Sequence, residues 1–441
     1  MTMKDELGHT VSGADATSLA SYEKAIGELR CFIGDPVASV DEALSASPDF
    51  TMAHVLKAYL HLLGTEPEAL SVAREALRSA DRLPADARER GHVEAVRCLA
   101  EGRWHDAGQV LEDVSIAYPV DALALQAGHQ IDFFTGSSRM LRDRIARALP
   151  AWSEGMPGYH AVLGMHAFGL EETGDYARAE AQGRKGVELE PRDGWAQHAV
   201  AHVMEMQGRQ RDGIAWMRAD PAAWSRESFF CVHNWWHLAL YHLDLGEVNE
   251  VLALFDGPIY GSCSKVALDM VDASALLWRL HLRGIDVGDR WQVLADNWAP
   301  VAVASNYTFN DVHAVMAFVG AGRTKAADAV LEAQTAAMER PGDNAAFTRE
   351  VGHPVAQAIR AFGEGDYAQT VRLLRPVRSI AHRFGGSHAQ RDVLDLTLIE
   401  AAFRSGQTAL ARALAAERIA AKPTSPLAKL FVERARSAEA A

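Results

Sequence analysis

Apolar residues recur along this chain three or four positions apart, and Gly and Pro break the runs at regular intervals. No stretch holds the alternation of a strand. The clearest unit is Met165–Pro191, MHAFGLEETGDYARAEAQGRKGVELEP. An apolar helix ends at Gly174, Asp175-Tyr176 opens a second helix, small Ala179 sits where the two touch, and Pro191 closes the unit. The same turn returns at Gly102, Gly136, Gly208, Gly246, Gly284, Gly322, Gly365 and Gly406, with a degenerate first copy at Gly64. Successive turn glycines lie 34 to 43 residues apart. A glycine fixed at that place has a mechanical reason: the first helix of each pair must end in a residue that tolerates positive φ.

Paired helices with small residues at their contact, an aromatic at the turn and a closing Pro form the tetratricopeptide pattern, whose period is about 34. The expected fold class is therefore all-α, a tetratricopeptide-like right-handed α-solenoid of about ten helical hairpins with a concave inner wall. Residues 1–20 are expected to be a frayed N-terminal segment, 21–422 a single solenoid domain, and 423–441 a C-terminal cap helix. Two stretches, 285–312 with Trp291, Trp298 and Pro300, and 340–354 with Pro341 and Pro354, read as long connections.

Within this frame one stretch stands out, Phe229–Gly246, FFCVHNWWHLALYHLDLG. His233 and His237 are four apart and share a helix face. In tetratricopeptide hairpins the first helix lines the inner wall, and its inward slots are counted back from the turn glycine. His233 and His237 fall at −13 and −9 from Gly246; His198, His202 and Glu205 fall at −10, −6 and −3 from Gly208. Glu171, at −3 from Gly174, and His313, at −9 from Gly322, take inward slots as well. His166 and His242 fall on the packing face, where a hydrogen-bonded core histidine is expected. The GGSHAQRDV segment adds His388, Arg391 and Asp392 as residues able to reach inward.

Composition narrows the partners. The 441 residues carry 44 Lys+Arg against 58 Asp+Glu, a net charge of −14, without a basic run. That balance excludes a general nucleic-acid or anionic-membrane binder. Four scattered cysteines without a CxxC exclude a disulfide framework and a thiolate zinc site. The polar start lacks a signal peptide and no apolar run is long enough to span a bilayer, so the expected location is the cytoplasm.

Three chemistries fit the His/Glu wall. His198-x3-His202 and His233-x3-His237 are chelating pairs for a divalent metal such as zinc, although the HExxH order is absent because position 199 is Ala. Without a metal, Glu171, His202, Glu205, His237 and Asp392 are candidates for acid–base catalysis in a hydrolase or lyase. Trp195, Asn234, Trp235, Trp236, His313, His388 and Arg391 would then bind the small-molecule substrate in the concave cavity. The alternative is a non-enzymatic scaffold that binds a protein or peptide in its groove, or a second copy of itself. The bland reading, a polar network that satisfies itself, stands beside all three.

The blocks GMHAFGLEETGDYARAE, HAVAHVMEMQGR, HNWWHLALYHLDLGE, FNDVHAVMAF and GGSHAQRDV resemble the tetratricopeptide repeat protein 38 family over roughly residues 20–415. HNWWHLALYHLDLGE is the specific block; single repeat turns are not. The resemblance implies a degenerate tetratricopeptide solenoid and supports the choice of inner-wall blocks. It names no reaction.

Overall fold

The computed structural model describes residues 3–440, with side chains through residue 437. The chain is all-α in class, an array of antiparallel helical hairpins of tetratricopeptide type, with one short strand pair, Met3–Lys4 against Thr10–Val11. It divides into two compact units. The first comprises Met1–Val200, Asp220–Cys231 and Pro341–Asp343; the second comprises Ala201–Ala219, Val232–Arg340 and Asn344–Ala441.

The first unit stacks hairpins such as Ala87–Ala100 with Trp104–Ala117, Ala122–Phe134 with Ser138–Ala148, and Tyr159–Glu171 with Tyr176–Leu189. The two members of a pair differ in burial. Tyr159–Glu171 is buried nearly all round, whereas Tyr176–Leu189 buries a stripe of Ala179, Gly183 and Gly186. First helices are thus sandwiched between neighbours, and second helices face outward with a single apolar stripe. Close approach is enforced at Gly169, where a Cβ would lie 2.4 Å from the Arg142 backbone nitrogen. Helix starts are capped from the side chains: Asp86 and Glu89 form a capping box, and Asp121 accepts from the Ala124 amide. The core runs through Leu56, Val96, Leu111 and Ile131.

The second unit repeats the plan with Ala267–Leu282 and Arg290–Trp298, Thr308–Gly320 and Thr324–Ala337, His353–Gly363 and Tyr367–Val377, and His388–Arg404 and Thr408–Ala421. A helix at Pro426–Ala440 follows. The two stretches expected as connections are largely helical. Within 285–312, the Arg290–Trp298 helix buries Trp291 and Trp298, and Gly320 leaves room for the Trp291 ring, which an added Cβ would meet at 2.3 Å. Within 340–354, Asp343–Phe347 and Thr348–Gly352 are helical, and Pro354 sits in the first turn of the next helix, where its missing N–H costs nothing.

Every turn glycine named from the sequence has positive φ except Gly64, whose role passes to Thr65 at φ 62°. No helix among the described residues is long and apolar enough to cross a membrane.

Candidate metal centre

The Gly194–Met206 helix begins in the first unit and ends in the second, so its residues divide between them. In the first unit, Trp195 and His198 belong to an aromatic cluster. The His198 ring stacks on Phe168 at 5.3 Å and meets Phe230 edge-on at 5.2 Å, and Trp195 stacks on Phe32 at 5.5 Å. Glu171 is buried at the end of its helix in the same unit. His166 accepts the packing role expected of it, its Nδ1 lying 2.7 Å from Gln182 Oε1.

The second unit brings together His202, Glu205, His233 and His237. The ring nitrogens of the three histidines include a set within 4.8 Å of one another. His237 Nδ1 donates to Glu205 Oε2 at 3.0 Å, and His233 Nδ1 donates to Asp272 Oδ2 at 2.8 Å. The two Nε2 atoms face each other at 3.3 Å. The order across the site is carboxylate, imidazole, imidazole, carboxylate. His202 completes it, with its ring centroid 4.4 Å from that of His237.

The tautomers follow from the carboxylates. An ionised carboxylate only accepts, so each Nδ1 carries its hydrogen and each neutral ring turns a lone pair at Nε2 towards the other. Two lone pairs at 3.3 Å repel unless a proton or a metal ion lies between them. A proton on His237 is disfavoured: burial first, then the charges of His202, His233 and Arg279, hold its pKa well below the usual imidazole range. A metal ion fits the spacing. With Zn–N bonds of about 2.0–2.1 Å, neighbouring ligands of a tetrahedral site sit about 3.3–3.4 Å apart. Carboxylates on the far ring nitrogens are the outer groups that orient metal-bound histidines.

The surroundings are dry and charged. His202, His237 and Asn234 are fully buried, and the His233 side chain is 13% exposed. Trp236 is buried and stacks on His233 at 5.3 Å, while Trp235 remains partly exposed. Arg279 lies over the Trp236 ring at 5.2 Å, and Lys422 Nζ reaches Glu205 Oε1 at 3.9 Å.

The remaining candidates of this unit have other ties. Arg418 grips Asp392 with two bonds of 2.8 and 3.0 Å. Burial works to raise that carboxyl, but Arg418 and Lys422 outweigh it and hold it well below the usual carboxylate range, which makes it a poor base. Arg391 donates to the Gly386 carbonyl, and His313 Nδ1 donates to the Phe309 carbonyl at 2.8 Å, four residues back on its own helix. Burial pulls His313 down to about 4. His388 is exposed at the start of its helix. His242 is tied to Glu247 at 2.6 Å, as a packing histidine. Three cavities in this unit measure about 280, 40 and 230 Å³, and none of them is lined by His202, His233 or His237; Glu205 borders the 40 Å³ cavity. At the expected His/Glu-lined cavity, the His202 and His237 side chains are buried.

Asp272 and Arg279 were not anticipated. Both lie on the Ala267–Leu282 helix, at −12 and −5 from Gly284, off the inward slots. The available signal for Asp272 was an acid inside the apolar run MVDASALLW.

No family model matches the chain. Among solved structures it is similar to the crystal structure of the yeast Tom70, with 13% sequence identity over 96% of each chain and a TM-score of 0.33.

Proposed function

We propose that the chain is a tetratricopeptide-like scaffold whose second unit is pinned by a first-row divalent metal, zinc foremost, held by His202, His233 and His237. The observation that carries this is the 3.3 Å separation of the His233 and His237 Nε2 atoms with a carboxylate behind each ring. Three neutral imidazoles match the donor preference of zinc. When bound, the ion supplies positive charge and Lewis acidity. Asp272 and Glu205 fix the ring orientations and keep both Nε2 lone pairs directed at one point.

Burial of His202 and His237 favours a closed, structural centre over the hydrolase or lyase that the histidine wall suggested, because a catalytic centre keeps a coordination position open to substrate. The scaffold reading leaves the outer helical surfaces for a protein segment, the usual ligand of such arrays. The block that carries His233 and His237 is also the specific block of the resemblance to the tetratricopeptide repeat protein 38 family, and membership in that family is part of this reading.

The test is elemental analysis of untagged protein purified without chelator, followed by cobalt substitution. Stoichiometric zinc is expected, together with the intense visible bands of tetrahedral cobalt. Both should be lost in His202→Ala, His233→Ala and His237→Ala. Protein that is metal-free and takes up neither ion refutes the centre.

A further inference from the structure

A second feature of the second unit is independent of the histidines. A cavity of about 280 Å³ opens between the Ala267–Leu282 helix, the His388–Arg404 helix and the Pro426–Ala440 helix. Its wall is mainly hydrocarbon, from Leu243, Leu282, Leu396, Leu427 and Phe431. Its charges are unbalanced. Four arginines, Arg279, Arg283, Arg404 and Arg434, border it with a single acid, Glu400. Glu400 is already shared by two of them, Arg404 at 2.7 Å and Arg434 at 2.7 Å.

Arg279 and Arg283 have no such partner among the described residues. Arg279 donates to the backbone carbonyls of Ala275 at 3.1 Å and Ala389 at 2.7 Å. Arg283 donates through Nη1 to the Leu243 carbonyl at 2.7 Å, and its buried Nη2 makes no hydrogen bond. The acid that acts on Arg283 through space, Asp244, has its oxygens occupied by Ser425 Oγ at 2.6 Å and by Gln210 Nε2. Burial pulls Arg283 down to about 10. A half-buried cation with an unsatisfied donor beside an apolar cavity is costly unless an anion meets it.

We propose that this cavity binds a small amphipathic monocarboxylate. Its carboxylate sits on the Arg283 guanidinium, and its hydrocarbon part packs on Leu243, Leu282, Leu396, Leu427 and Phe431. A guanidinium edge suits a planar carboxylate. A phosphate, more strongly hydrated and multiply charged, lacks the ring of donors it needs in a wall this apolar. The volume sits at the small end of ligand pockets, about 300–1,000 Å³, which selects a short chain over a peptide.

The experiment is calorimetric titration of the full chain with octanoate, octan-1-ol and octyltrimethylammonium. Octanoate should bind at least about tenfold more tightly than octanol, and the cation should not bind. Arg283→Met should bring octanoate to the level of octanol with helical content unchanged by circular dichroism, and Leu427→Trp, which fills the cavity, should abolish both. Octanoate binding no tighter than octanol, octanoate not binding, or an Arg283→Met protein that keeps its octanoate affinity overturns the proposal. The comparison of the three ligands on the natural chain decides the matter even where a variant does not fold.

Discussion

Replacing Asp272 by Asn isolates the electrostatic support of the histidine centre. Asp272 is 3% exposed and accepts from His233 Nδ1 at 2.8 Å. Asn keeps the shape and one acceptor oxygen but removes the negative charge behind the imidazole. Loss of such an outer carboxylate typically weakens metal affinity 10–100-fold, about 1.4–2.7 kcal/mol. The effect can be read in two ways. Competition against a chromophoric chelator gives the zinc affinity directly. Thermal unfolding gives it by linkage: zinc at about 100 times its Kd stabilises the natural chain by about 2.7 kcal/mol. The second unit is roughly 200 residues long, a size at which 1 kcal/mol shifts Tm by about 2–4 °C, so its transition should rise by about 5–10 °C. At the same zinc concentration the variant retains a ratio of about 1–10, which leaves about 0.4–1.4 kcal/mol and a rise of about 1–5 °C. An Asp272→Asn protein with unchanged zinc affinity would refute the reasoning, as would a natural chain whose Tm zinc does not move.

Three further outcomes follow from other places in the fold. Asp121, buried in the first unit, accepts from Arg88 at 2.9 Å and from His92 at 3.0 Å; Asp121→Ala should cost about 3–5 kcal/mol in urea unfolding, because it strands a buried cation. Burial raises the Asp121 carboxyl, but His92 and Arg88 prevail and hold it below its ordinary value. The stability it contributes is therefore present above about pH 4, its unfolded pKa, and should be lost in acid unfolding as pH falls below that. Gly169→Ala drives a Cβ into the Arg142 backbone at 2.4 Å and should destabilise by about 1–3 kcal/mol or more, measured by thermal unfolding. Asp311 behaves oppositely to Asp121. Burial pushes it up to about 7 although Ser305 Oγ donates to it at 2.6 Å, so stability should fall as pH rises from about 4 to 7, by on the order of 3 kcal/mol, and Asp311→Asn should remove that fall in urea unfolding at pH 5 and 8.

The hairpins were legible because their turns make a local demand. Positive φ at Gly174, Gly246 and the other turn glycines is written in one residue and repeats. Gly64 shows the limit of that signal: Thr65 takes the left-handed position, which a threonine does not advertise. The 285–312 stretch misled through its tryptophans, which a loop-like pattern places at the surface and the fold buries. His202, His233, His237 and Glu205 were reachable because helix register is also local. Their partners were not. Asp272 lies 39 residues from His233, and Arg418 lies 26 residues from Asp392. Each pairing is set by the packing of separate helices, and that packing gave Asp392 an ion-pair partner, and so a role other than that of a base.

Two buried polar clusters among the described residues differ in a way that bears on function. In the first unit, Asp121 receives Arg88 and His92, and the Tyr59 hydroxyl meets the remaining nitrogen of His92 at 3.2 Å. Here the Asp121 carboxylate meets a guanidinium and an imidazole directly, and the pairing reads as structural. In the second unit the carboxylates Asp272 and Glu205 fix the hydrogens on the outer nitrogens of His233 and His237 and leave two acceptors opposed at 3.3 Å. Two Nε2 atoms at 3.3 Å need a proton or a cation between them, and burial with the neighbouring charges opposes that proton on His237. A divalent ion between the two Nε2 atoms would remove the lone-pair repulsion. On the metal reading proposed above, the burial of the pair would make the ion part of what holds the second unit folded.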